Sequence, residues 1–584
     1  MDVLLGILSC LAGGAGMRVL GLNLGFTRAG KMLKDGGACI VVDGQVAVAV
    51  AEERVCRRKY AGGFEHALEY CLDATGCEVD DFDAIVVSSC CEDVYSRNGD
   101  VYPREVDELH LQDHSKVHFV SHHLSHAYSA FCASPFDRAL IVVMDGGGNV
   151  IERQKHPDWW RNRREQSSYY IGEGTAIEPI GRDFDEPYEV GFGEAYRYFT
   201  YYLGWSSSVY AGKTMALAAY GDPNRFTGLD LFEFEDGRLR CRLRNDPAHP
   251  IEVLKRFAED YGVDLGSPRL PDTDICQQHK NLAFFVQNQM EKALVKKIDL
   301  LCRETGITNL CIAGGVGLNC VANTRILEDT PIQNLFAQPA AGDQGQALGN
   351  ALYGYHRLSR KPRGWVMTNA YLGREYSKDS QDFSSRLAGN GFKCVRSANI
   401  AQDVARLIAD GFLVGWFQGR SELGPRALGN RSILADPRRV ESRQSLDKKV
   451  KHREWFRPYA PSVLEEYAPE FFDVKWNSPF MLLVARVKPE KRSLVPAVVH
   501  VDGTARLQTV SRRENPRYYE LIDAYRSLTG IPVLLNTSFN SKDEPIVETP
   551  EDAIRCFKEH GIDILVIGDY LITRSHPLDE EAAL

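Results

Sequence analysis

The chain has 584 residues, 44% of them hydrophobic and 25% charged, with a formal net charge of −10. That composition suits a soluble globular protein of two or more domains, and the acidic balance speaks against wholesale binding to nucleic acid. Its 15 cysteines include no CxxC pair; an odd count of this kind suits free thiols in a reducing compartment, so a cytoplasmic location is expected.

Residues 1–16, MDVLLGILSCLAGGAG, are mildly apolar but lack a basic n-region. They fall far short of the roughly 20 residues of a membrane span and are expected to be a passive extension or an upstream start. MRVLGLNLG (17–25) is the first of three β-rich apolar runs that end in a glycine turn, with RALIVVMDGGGN (138–149) and NLCIAGGVGLN (309–319). Such runs predict buried strands of a sheet covered on both faces. Each glycine turn lets backbone N–H groups approach an anion closely. After the loop GFTRAGKML (25–33), Lys34 and Asp35 stand side by side in MLKDGGACIVVDG. The stretch ACIVVDGQVAVAVAEER predicts a hairpin on Asp43-Gly44. Helical stretches such as LAFFVQNQMEKALVKKIDLLCRET (282–305) lie between the strands. Repeated strand-hairpin-helix modules predict an α/β fold of the actin/hexokinase-like type, a duplicated RNase H-like (ASKHA) nucleotide domain.

VSHHLSHAYSAFCAS (120–134) sets His122 and His126 four residues apart. On a helix these share a face and can present two imidazoles to one ion, although such a pair also arises for structural reasons alone. His123 points elsewhere. Asp145 follows the IVVM strand and Asp343 lies in PAAGDQGQALG before a helix; each is either a cap or a further ligand. Two imidazoles with two carboxylates suit a divalent transition ion that keeps open positions for phosphate oxygens, iron or zinc.

Two segments imitate nucleotide motifs. SSSVYAGKTM (206–215) has Ser207 where a P-loop needs glycine, and GGVGLNC (314–320) has Cys320 at the third glycine of a dinucleotide fingerprint. Neither motif is expected. Lys213 and the turn of Gly314, Gly315 and Gly317 remain candidate phosphate contacts, with a tight turn or helix packing as the other explanation.

RLSRKPRGWVMTNAYLGREYSKDSQ breaks the pattern near 360–380 and divides an expected domain at 17–365 from another at 366–584. In the second, residues 418–457 hold eleven Lys/Arg against five Asp/Glu, a local basic excess in an acidic chain. A solvated basic face would explain the run, but glycines and prolines between the arginines favour a concave anion pocket. In LLNTSFNSKDEPIV (534–547), Asn536 and Ser538 either contact the same ligand or satisfy a turn.

HHLSHAYSAF, AGGVGLN, Asp145 and Asp343, with AEERVCRRK (51–59) and GKTMALAAYG (212–221), together resemble the catalytic domain shared by O-carbamoyltransferases of the NodU/CmcH/TobZ type and the tRNA threonylcarbamoyl transferase TsaD. The resemblance spans about 17–575. It implies a metal held by His122, His126, Asp145 and Asp343, iron first with zinc or manganese as alternatives, with nucleotide phosphates on it. It also implies ATP with Mg2+ and contacts to the cofactor from Lys59, Lys213, the 314–317 turn and Asn319. The second half resembles the YrdC-like domain that the carbamoyltransferases carry, which binds carbamoyl phosphate and ATP and forms carbamoyl-adenylate. Positions matching its binding residues are Arg426, Lys451, Arg457, Met481, Arg506, Asn536 and Ser538; Met481 is equally well explained as core. The catalytic candidates are Lys34, Asp35, Arg426 and Lys451. The family commonly has a His-Asp pair where Lys34-Asp35 stands, which leaves the base and the acceptor open.

The expected activity is ATP-dependent O-carbamoylation of a small hydroxyl-bearing natural product, with carbamoyl phosphate as donor. No membrane partner is expected, and a homodimer stays open. The alternatives are a tRNA threonylcarbamoyl transferase and a catalytically silent actin-like nucleotide-binding regulator.

Overall fold

The structure is a computed structural model that describes residues 16–25, 34–88, 113–152, 163–184, 190–235, 238–244, 248–376 and 392–574. Nearly all of the 1–16 extension and the loop at 26–33 lie outside the described residues. The chain divides into two compact units, Met1–Cys56 with Tyr60–Met367, and Arg57–Lys59 with Thr368–Leu584.

In the first unit, β1 (Arg18–Asn23), β2 (Gly37–Val42), β3 (Gln45–Ala51), β4 (Ala84–Ser88) and β5 (Val117–Phe119) form one sheet in the order β3-β2-β1-β4-β5. The first three strands are antiparallel, and β4 and β5 run parallel to β1. Asp43 and Gly44 both take positive φ (47° and 78°), the backbone of a two-residue hairpin turn whose twist matches its strands.

A second sheet repeats the plan with β6 (Arg138–Met144), β8 (Arg163–Glu173), β9 (Ala176–Phe184), β12 (Asn309–Ala313) and β13 (Asn334–Ala337). The short β7 (Val150–Glu152) joins its edge, and β10 (Phe232–Glu235) with β11 (Arg238–Cys241) form a separate hairpin. Its order is β9-β8-β6-β12-β13, with β8 and β9 antiparallel and β12 and β13 parallel. Strand for strand this is the first sheet again, the duplicated RNase H-like arrangement of actin- and hexokinase-like folds.

The helix Gln346–Ser359 packs on β1, β2 and β4, the helix His122–Phe131 packs on β6 and β12, and the two helices pack on each other. Gly349 sits at their crossing, where a Cβ would lie 2.1 Å from the Ser125 carbonyl oxygen. Covered strands need apolar side chains on both faces, which is why β1, β2 and β6 read as continuous Val/Ile/Leu runs.

The second unit is built on a ten-stranded mixed sheet among the described residues. Its centre runs Val414–Phe417, Arg431–Ala435, Val533–Ser538, Ala460–Leu464 and Thr504–Val510. The helices Ile400–Asp410 and Pro516–Thr529 pack together over it, each capped by an asparagine side chain, Asn399 and Asn515. Trp416, Tyr518 and Tyr525 are fully buried in this core. The helix Val440–Leu446 continues into a π-turn at Asp447–Lys451 and stops at His452, whose φ is 41°. No helix of the described residues is long and apolar enough to cross a membrane.

Candidate functional site

His122 opens its helix, and His126 follows one turn later on the same face. Asp145 leaves the carboxyl end of β6, and Asp343 opens the short turn Asp343–Gly345 that leads into the helix Gln346–Ser359. Their side chains converge. His122 Nε2 is 2.9 Å from Asp145 Oδ2 and 3.3 Å from Asp343 Oδ1, while His126 Nε2 is 3.4 Å from Asp343 Oδ1. One ligand atom from each residue lies within 4.8 Å of all the others. Both histidines are buried, and His126 Nε2 has no hydrogen-bond partner among the described residues. An orphaned imidazole nitrogen facing two carboxylates is the donor set of a divalent cation, so the residues fit a metal. Burial alone would lower the His122 pKa, but Asp343 and Asp145 outweigh it and hold it well above the usual histidine value. Despite burial, the histidines hold Asp145 well below the usual carboxylate range, and Asp343 is lowered as well. His123 lies outside the cluster, with Nδ1 2.7 Å from Ser168 Oγ.

Residues that the sequence did not single out place these ligands. Asn149 Oδ1 accepts the His122 N–H at 2.6 Å, and Gln346 Nε2 donates to the His122 carbonyl at 3.1 Å. Ser88 Oγ donates to Gln346 Oε1 at 3.1 Å, and Asn350 Nδ2 donates to Ser88 Oγ at 2.8 Å. Asn23 Nδ2 donates to the carbonyls of both Asp35 (2.8 Å) and Asp343 (3.0 Å), so β1 ties Asp35 to the turn that carries Asp343. Asp35 is in the left-handed region, with φ 63°, and its Oδ1 is buried without a hydrogen-bond partner among the described residues. Burial, then Glu53 and Asp343, push its pKa well above the usual value. Lys34 Nζ donates to Ser207 Oγ at 2.7 Å, and its pKa is lowered by burial, against the pull of Asp35.

The glycine turn abuts the same place. Gly314 has φ 85°, and a Cβ there would meet the Met144 carbonyl oxygen at 2.2 Å; the Gly315 N–H donates to Asp145 Oδ1 at 3.3 Å. Gly317 follows in the turn that leads to the helix Cys320–Asp329. Asn319 caps that helix and pairs its amide with Gln287, so its side chain is committed structurally. Lys213 lies on the helix Ala211–Ala218, over the rings of Tyr210 and Trp205.

In the second unit, Lys451 is buried at the end of the π-turn. Its ammonium donates to Ser538 O (2.5 Å), Asn540 O (2.8 Å), Asn540 Oδ1 (2.8 Å) and Ser538 Oγ (3.2 Å). All four acceptors are neutral. Burial, then Arg453, Lys59 and Arg457, hold its pKa well below the usual lysine value. Lys59 folds with this unit and donates to the Lys542 carbonyl at 3.0 Å. Arg457 is 3.8 Å from Glu454, and Arg506 lies on the strand Thr504–Val510. Met481 is buried with φ 55°, a backbone state costly for a non-glycine residue and concentrated at functional sites.

Arg426 stands in a loop that is pinned from several sides. Glu422 Oε1 accepts the N–H groups of Leu428 (2.7 Å), Asn430 (2.8 Å) and Arg431 (3.2 Å). Tyr371 OH and Gln508 Nε2 both donate to the Leu428 carbonyl, at 2.9 and 2.7 Å. Asn536 Nδ2 donates to the Ala427 carbonyl at 3.2 Å. Glu422 is the one carboxylate in QGRSELGPRALGNRS, a signal that was available in the sequence; Gln508 and Tyr371 offered none.

Two protein-family models match the chain, Carbamoyltransferase N-terminus over residues 100–352 and Carbamoyltransferase C-terminus over 405–574. Nodulation protein NolNO of Sinorhizobium fredii is 38% identical over 577 residues, covering 93% of this chain and 79% of its own. Nodulation protein NolO of Bradyrhizobium diazoefficiens is 38% identical over 463 residues, covering 78% and 79%. Among solved structures, full-length HypF in its phosphate- and nucleotide-bound form overlaps 59% of this chain and 56% of its own at 14% identity, with a TM-score of 0.34, a likeness too slight to argue from. The family matches and the extent of identity make this chain a member of the carbamoyltransferase family and a carbamoyltransferase enzyme.

Proposed function

We propose that the protein is an ATP-dependent O-carbamoyltransferase that forms carbamoyl-adenylate and passes the carbamoyl group to a hydroxyl of a small natural product, in the cytoplasm. The observation that carries the reading is Lys451, a buried ammonium whose hydrogen bonds all go to neutral oxygens. A buried charge without a counter-charge is costly, and a phosphate beside it would relieve that cost. Arg426, Arg457, Arg506 and Lys59 add positive charge for carbamoyl phosphate and ATP with Mg2+, and Met481, Asn536 and Ser538 complete the proposed pocket. In this reading, residues 366–584 are a YrdC-like adenylating domain and residues 17–365 the transfer domain.

The proposed steps balance as follows. Water releases phosphate from carbamoyl phosphate and leaves carbamate; a carbamate oxygen attacks the α-phosphorus of ATP and displaces pyrophosphate. The acceptor oxygen then attacks the carbamoyl carbon, AMP leaves with the C–O electron pair, and the acceptor proton passes to a base. Lys34 and Asp35 are the candidates for that base. Their pKa values move toward neutrality from opposite sides, as general catalysis near pH 7 requires. Lys213 and the N–H groups of the 314–317 turn would hold nucleotide phosphate, while the Asn319 side chain acts through the turn it caps. His122, His126, Asp145 and Asp343 would hold a divalent ion, iron first with zinc or manganese as alternatives; when bound, it supplies positive charge that polarises a phosphate group.

The test is pyrophosphate release by the metal-loaded protein given ATP, Mg2+ and carbamoyl phosphate, beside Arg426→Ala. Release that requires carbamoyl phosphate and is lost in the variant supports the reading. Absence of release from the wild type, with or without candidate acceptors, would sink it.

A further inference from the structure

The buried amides of Gln508 and Asn536 form a lock whose orientation is fixed from outside. The Leu428 carbonyl can only accept, so the group that Gln508 turns toward it, at 2.7 Å, must be its NH2. Gln508 Oε1 is thereby left as an acceptor, and it receives Ser462 Oγ–H at 2.6 Å and Asn536 Nδ2 at 3.1 Å. The Ala427 carbonyl, also an obligate acceptor, takes Asn536 Nδ2 at 3.2 Å, and Ser462 Oγ lies 3.0 Å from the same nitrogen. The Leu428 carbonyl thus sets the Gln508 amide, and Gln508 Oε1 together with the Ala427 carbonyl sets the Asn536 amide, so neither flips without facing oxygen to oxygen. The consequence falls on Asn536 Oδ1. It is buried and has no hydrogen-bond partner among the described residues.

A buried acceptor held in one orientation requires a donor. Asn536 shares the strand Val533–Ser538, and by strand alternation the same face, with Ser538, which bonds Lys451. Its other neighbour, Ala427, directly follows Arg426. Resting on the function proposed above, we infer that Gln508 is a specificity-determining positioning residue. It holds Asn536 Oδ1 as an acceptor for the N–H2 of the carbamoyl group, so the pocket selects a carbamoyl over an acyl group of the same size and shape. Ser462 reinforces the lock. A methyl group in place of the NH2 leaves Asn536 Oδ1 unpaired, and a site built to bond an N–H discriminates strongly against an analogue that lacks it.

The experiment compares carbamoyl phosphate with acetyl phosphate, which replaces NH2 by CH3, in ATP-dependent pyrophosphate release by the full-length metal-loaded protein. Wild type should favour carbamoyl phosphate by at least about a hundredfold in kcat/KM. Gln508→Leu removes the lock and should cut that preference below about tenfold, because carbamoyl phosphate turnover falls much further than acetyl phosphate turnover. Gln508→Glu keeps the shape but sets a carboxylate oxygen against the Leu428 carbonyl, and should erode the preference in the same sense. If Gln508→Leu does not fold, as judged by its unfolding temperature, the glutamate variant and the wild-type substrate pair decide. Turnover of both phosphates within about tenfold by wild type would overturn the inference, meaning that water serves Asn536 Oδ1, while leaving adenylation intact. A folded Gln508 variant with wild-type preference would also overturn it. No pyrophosphate from carbamoyl phosphate with wild type would instead overturn the function beneath it.

Discussion

Removing Glu422 should release the loop that carries Arg426. Its Oε1 is the shared acceptor of three backbone N–H groups, at 2.7, 2.8 and 3.2 Å, and the residue is 2% exposed. Bonds to a charged acceptor contribute about 1.5–3 kcal/mol each and neutral ones about 0.5–1.5. Glu422→Gln keeps one acceptor oxygen but loses the charge, so it should cost about 1 kcal/mol per bond, about 3 kcal/mol in all. Glu422→Ala leaves three buried donors without an acceptor. At about 1–3 kcal/mol each, and with neighbouring terms that do not add fully, the loss should be about 3–6 kcal/mol. Calorimetry reads the stability, and hydrogen-exchange mass spectrometry over residues 423–431 reads the loop itself. The glutamine variant should also show a raised KM for carbamoyl phosphate, because Arg426 is no longer held in place. The reasoning is refuted if Glu422→Ala lies within about 1 kcal/mol of wild type with the amides of Leu428, Asn430 and Arg431 still protected.

Three further outcomes follow from the two sites. The Lys451 pKa is depressed in the folded protein by burial and by Arg453, Lys59 and Arg457. In the window between its folded value and the unfolded value near 10.4 the unfolded chain binds more protons, so stability rises with pH there and the cost is full below the folded value. Lys451→Met should therefore lose part of the alkaline rise in unfolding temperature and release no pyrophosphate; equal pH profiles would count against it. His126→Ala should reduce bound metal at least about tenfold, measured by elemental analysis after dialysis, since it removes one of two imidazole donors. Gly314→Ala forces a Cβ to 2.2 Å from the Met144 carbonyl oxygen at a φ of 85°. It should lower the unfolding temperature and weaken metal binding through Asp145, whereas unchanged values for both would show that the turn is not needed there.

The sequence carried the parts of this structure that depend on short-range pattern. Strands buried on both faces must be apolar throughout, and β1, β6 and β12 were visible for that reason. The Asp43-Gly44 hairpin was visible because its backbone angles demand those residues. His122 and His126 could be paired because helical spacing alone puts them on one face, and Asp145 and Asp343 because each sits at the end of a strand or the start of a helix. What escaped was set by contacts across long stretches of chain. Gln508 meets Leu428 across 80 residues, and Gln346 meets His122 across 224. No local periodicity marks either. The joining of Arg57–Lys59 to the second unit, where Arg57 pairs with Asp552 at 3.2 Å, is equally invisible in AEERVCRRK. Asn319, a cofactor contact implied by the resemblance, has a side chain that caps a helix and bonds Gln287, partners that lie outside its own local pattern.

The most direct test of the central claim is to trap the intermediate. The protein, incubated with ATP, Mg2+ and carbamoyl phosphate labelled at its carbonyl carbon, is quenched in acid, and the nucleotides are separated. The account predicts a labelled carbamoyl-adenylate from wild type and from His126→Ala, because the second unit makes it, and none from Lys451→Met. Pyrophosphate release without any labelled adenylate, or an adenylate that survives in Lys451→Met and vanishes in His126→Ala, would contradict it.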